Sequence, residues 1–87
     1  PKGQNQKIVF PIVRDYAQEV NDRSPGSSTI PAGSLVVDIE TLTDRCLPKF
    51  GGDQPAFRVR EKIRDALMGL QASGYIGVHG NKVWLIG

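Results

Sequence analysis

The sequence predicts an α+β fold of three helices, a short strand after the first, and a C-terminal two-stranded β-hairpin. Three observations carry this reading. Apolar residues recur at spacings of three and four from Ile8 to Val20 and again from Val59 to Leu70, the period of helices that bury one side. Around Gly80–Asn81 the period drops to two, as in strands. Stretches rich in glycine, proline and serine separate these segments.

Residues 1–6 (PKGQNQ) lack periodicity and read as a flexible tail, made basic by Lys2 and the adjoining Lys7, with the folded domain spanning 7–87. Ile8, Val9, Ile12, Val13, Tyr16, Ala17 and Val20 form the stripe of the first helix, with Arg14, Asp15, Gln18, Glu19 and Asp22 opposite. Pro11 is expected in its first turn, so the regular helix should begin near Val9 or Phe10. Asp22 to Ser34 is a loop in which Ile30 is the one large apolar anchor. A short β-prone run, Ser34 to Val37, follows. Asp38 then reads as the N-cap of a second helix from Ile39 to about Leu47, with Ile39, Leu42 and Cys46 on one face.

Leu47 to Pro55 (LPKFGGDQP) reads as a linker, with Phe50 tucked under it. The third helix, from Ala56 (AFRVREKIRDALMGLQASG), is the longest unbroken pattern, with Val59, Ile63, Ala66, Leu67 and Leu70 on its buried side. Asp53 or Gln54 is expected to cap it, Pro55 to occupy its first turn, and Gly74 to end it in the left-handed conformation. With Gly80–Asn81 as the turn, Val78 faces Val83, Ile76 faces Leu85, and Gly77 lies opposite Trp84 on the outer side. Trp84 is therefore expected to be partly exposed over the bare glycine.

The 87 residues carry a formal charge of +2, which is mildly basic and compatible with nucleic acid. A single cysteine, Cys46, makes no internal disulfide, points to a reducing compartment and reads as a small core residue. No apolar run reaches membrane-spanning length and no signal peptide is visible, so the expectation is an intracellular protein of the cytoplasm, nucleoid or nucleus. The chain begins at Pro1 without Met, as an excised domain or a processed chain does. With one histidine, His79, and no cysteine or carboxylate cluster, no metal site is expected. The glycines match neither a phosphate loop nor a dinucleotide fingerprint, and no catalytic motif stands out. The expectation is a non-enzyme without a cofactor.

The order of helix, short strand, helix, long basic helix and hairpin resembles the winged-helix family. The resemblance covers Lys7 to Gly87 and is most specific in VREKIRDALMGLQASGYIGVHGNKVWLIG, where the third helix passes through glycine, an aromatic residue and isoleucine into the hairpin. It implies a third helix in the major groove of double-stranded DNA and a hairpin wing on the backbone or minor groove. The connection Leu47 to Pro55 is longer than the tight turn of the simplest members.

On the third helix, Arg60 and Arg64 share one flank with Phe57, Lys62 lies on the opposite flank, and Arg58, Glu61, Asp65 and Met68 face outward. Four cations in the first turns of a helix stand against its dipole and suit an anionic partner. Arg58, Arg60, Lys62 and Arg64, with His79, Asn81 and Lys82 at the hairpin tip, are the DNA-binding candidates. Each also has a plain reading as a solvated face or a polar turn. The module would serve a larger replication, transcription-regulatory or DNA-processing protein, such as a nuclease or helicase, with other domains of a parent chain or a homodimer as further partners. The rival is a protein-docking winged helix that uses Trp84, Tyr75 and the acidic first helix.

Overall fold

A computed structural model describes residues 3–86. Its elements are α1 (Gln4–Val20), β1 (Val36–Asp38), α2 (Ile39–Cys46), α3 (Ala56–Ala72), β2 (Ile76–His79) and β3 (Lys82–Leu85), with a single 3-10 turn at Leu47–Lys49. The strands form one antiparallel sheet in the order β1-β3-β2. The three helices pack on one side of it, which makes the fold α+β.

The core follows the periodicities. Val9, Val13 and Ala17 of α1, Leu42 and Cys46 of α2, Ile63, Leu67 and Leu70 of α3, and Val37, Ile76 and Val83 of the sheet form one buried cluster. Ile12, Ile39 and Phe50 are half-buried against it. Burial pushes the Cys46 thiol up to about 11, because the thiolate is the form that desolvation penalises.

The first helix starts earlier than its proline suggests. Residues 4–6, expected in the tail, form its first turn, and Pro11 lies inside the helix; Pro1 and Lys2 lie outside the described residues. Packing explains why the missing Pro11 N–H is tolerated. The extra turns are held on α3, where Gly69 has no side chain and Gln6 occupies the space a methyl group would take. Phe10 meets Tyr75 with ring centroids 5.3 Å apart. At the other end the stripe stops short of Val20, which is exposed where Asn21 turns left-handed at φ 52°.

Other local rules hold as expected. Asp38 caps α2 by accepting the Thr41 N–H at 2.8 Å. Gly74 is left-handed at φ 84°. The Gly74 N–H donates to Gln71 O and the Tyr75 N–H to Leu70 O, both at 3.0 Å, which closes α3. The α3 start is a correction. Its N-cap is Pro55, without a side-chain cap, and Asp53 and Gln54 are exposed. Pro55 O accepts from Arg58 and Val59, so residues 53 and 54 lie too far upstream to reach the first free N–H groups. The Asp22–Ser34 loop folds on itself, with Ser24 N–H donating to Ser34 O and Val36 N–H to Asp22 O. Its limbs thereby cover the outer edge of β1.

The hairpin register is the expected one: Ile76 pairs with Leu85, Gly77 with Trp84, Val78 with Val83 and His79 with Lys82. The exposure of Trp84 is not. The side chain is only 7% exposed. β3 is the central strand, so Val36 flanks Trp84 on one side while Gly77 makes room on the other. A methyl group at position 77 would lie within the indole itself.

Two substitutions test this packing. Leu67→Ala is expected to lower unfolding free energy by about 2–5 kcal/mol in denaturant melts. Gly77→Ala is expected to lower it by about 1–3 kcal/mol and to shift Trp84 emission to the red as the indole is displaced.

Candidate nucleic-acid interface

Because Ile63, Leu67 and Leu70 are wholly buried, the rotation of α3 about its axis is settled. Phe57, Arg60, Arg64 and Met68 then succeed one another along one flank at spacings of three and four. Arg60, Arg64 and Met68 line an open groove of about 370 Å³, with Leu67 from α3, Ile39, Glu40 and Thr43 from α2, and Val78 and Gly80 from the hairpin. The floor is apolar, the rim on α3 is cationic, and one end is the hairpin turn.

The sequence candidates divide over this geometry. Arg60 and Arg64 line the groove together, one turn apart. Arg60 reaches Asp44 of α2 at 3.4 Å, a long, exposed pair that contributes little to stability. Arg64 makes no hydrogen bond or ion pair among the described residues and is exposed. Arg58 is exposed, its guanidinium 5.5 Å from the centre of the Phe57 ring. Lys62 is half-buried and shares the Gly69 side of α3, away from the groove.

At the hairpin, His79 and Asn81 are exposed. Lys82 alternates with the core residue Val83, so it points to the far side of the sheet. There it lines a separate hollow with Asp22, Arg23, Pro25, Ile30 and Val36. Arg60, Arg64 and Lys82, expected to meet one duplex together, thus face two different sides.

The turn itself is fastened. Asn81 O accepts the Ile39 N–H at 2.8 Å, and Asp38 pairs with Lys82 in register. The Thr41 N–H bond holds the Asp38 carboxyl below its ordinary value of 3.8, against the desolvation of its partly covered site, with smaller help from the Thr41 hydroxyl and from Lys82. Two acidic residues near the site had no signal in the sequence. Glu40 lines the groove, and Asp44, outside the lining, is set beside Arg60, 16 residues away, only by the packing of α2 against α3.

Among the described residues no helix is long and apolar enough to cross a membrane, and no three His, Cys, Asp or Glu side chains cluster as metal ligands would. Comparison with family models, with curated proteins and with solved structures yields no match, so function is argued from the groove itself.

Asp38 offers a test of the tether beside that groove. A carboxylate with a lowered folded pKa stabilises the fold fully above its unfolded value. That contribution is lost as pH falls through the folded value, below 3.8. Denaturant melts should show Asp38→Ala costing about 0.5–2 kcal/mol at neutral pH. Asp38→Asn should keep most of the cap and lose this part of the acid dependence.

Proposed function

We propose that this chain is a DNA-binding module of the winged-helix type, not an enzyme, acting within a larger intracellular replication, regulatory or DNA-processing protein. The observation that carries the reading is the pair Arg60 and Arg64, one turn apart on the exposed flank of α3 and lining a groove that ends at the hairpin turn. The element order and the short strand β1 beside the hairpin support the family. In this reading α3 enters the major groove of a duplex. The two guanidinium groups take phosphates or guanine edges, and Asn81 at the turn rests on the sugar–phosphate backbone. His79, the cross-strand partner of Lys82, lies behind the sheet with it, and the two add only long-range charge.

The protein-docking reading keeps one exposed aromatic residue of its surface, Tyr75, at 38% exposure. It loses Trp84, which is buried. A salt titration separates the two classes, since neutralising phosphates releases counterions and gives a steep log–log slope.

Fluorescence anisotropy with random duplex DNA at several salt concentrations is the test. Arg64→Ala and Arg60→Ala should each weaken binding and reduce the salt slope by about one unit where they meet phosphate. Where one reads a guanine, its loss should cost about 1–3 kcal/mol and relax preference at that pair. Arg64 should show the larger effect, because Arg60 is shared with Asp44. Lys82→Ala should change affinity less than either, and Asp15→Ala on α1 should leave it unchanged or slightly raised. A parent protein that fails to bind duplex at low salt would end the DNA reading in favour of protein docking.

A further inference from the structure

The exposed side chain that folding leaves least explained is Phe57. It is 60% exposed, the most exposed large apolar residue among those described. Burying such a ring would contribute about 1.5–3 kcal/mol, and here that gain is forgone. Its position is specific. It stands one turn before Arg60 on the same flank of α3, outside the core and outside the groove lining. The Arg58 guanidinium lies 5.5 Å from the ring centre, which holds the ring at the surface beside the other cations.

Resting on the DNA reading above, we propose that Phe57 reads thymine, its ring packing on the C5-methyl group in the major groove. Base edges in that groove present hydrogen-bond donors and acceptors and one methyl group, that of thymine. A phenyl ring makes no hydrogen bond, so among base edges the methyl is the complement that its chemistry selects. Arg60 and Arg64 follow it along the flank and suit guanine edges and phosphates, while Glu61, four residues on, faces outward beside the ring. The flank therefore pairs an apolar reader with cationic ones. Phe57 and Arg64 are seven residues apart, or about 10.5 Å along the helix axis at 1.5 Å per residue. That equals about three base-pair steps at 3.4 Å each. The thymine stands within about three base pairs of the base or phosphate that Arg64 meets.

The test uses the chain described here. Duplexes with a randomised centre are enriched by binding, and the enriched duplex is compared with one in which deoxyuridine replaces each thymine. Only the methyl groups are removed by this change. The parent should bind the uracil form about fourfold more weakly per contacted thymine, the worth of one buried carbon at about 0.8 kcal/mol. Phe57→Ala should bind both forms alike and melt as the parent does, since the ring is exposed. Arg64→Ala should bind more weakly overall yet keep the thymine preference. If the parent binds both forms equally, or Phe57→Ala still distinguishes them, the thymine assignment is overturned while the DNA reading stands. If no duplex is enriched and none binds at low salt, both are overturned.

Discussion

Burial of one side of α3 is the constraint on which the rest depends. Ile63, Leu67 and Leu70 are wholly enclosed by α1, α2 and the sheet. A helix held along that stripe has no rotational freedom, and every other side chain on it inherits a direction. Arg60 and Arg64 face the groove because Ile63 and Leu67 face the core. Phe57 and Met68 extend the same flank for the same reason. Net charge alone would have said little, since +2 spread evenly over a small domain steers nothing in particular. The packing converts a modest excess of cations into a local arrangement.

Much of this fold could be read before the structure, and the reason is local chemistry. Gly80–Asn81 is a turn whatever surrounds it, and alternation on either side leaves one register that buries Val83. Asp38 caps α2 through its own side chain, and Gly74 ends α3 through its own backbone freedom. The readings that failed each required knowledge of a neighbour. Pro11 opens a helix only when no tertiary contact extends it, and here Gln6 and Phe10 are held by Gly69 and Tyr75. Trp84 lies on the outer face of a hairpin as expected, but a third strand and a folded loop flank that face.

The groove shows the same division. That Arg60 and Arg64 share a flank follows from helical spacing and holds. That Lys82 joins them does not, because strand alternation sends it behind the sheet. The helical spacing also put Met68 on the outermost face, whereas it lines the groove. Glu40 in the groove and Asp44 beside Arg60 arrive through the approach of α2, which no period in the sequence encodes. They temper the positive charge of the α3 rim.

The bond from the Ile39 amide to the Asn81 carbonyl has a consequence for how the two edges of the groove behave. With Asp38 capping α2 and pairing across to Lys82, the hairpin turn and the start of α2 belong to one rigid body. A hairpin free to sweep would have to be immobilised by its partner, at an entropic cost that lowers affinity. Here that ordering is complete when the chain folds. The side of the groove formed by the hairpin turn and the start of α2 is thus set as one piece by folding alone.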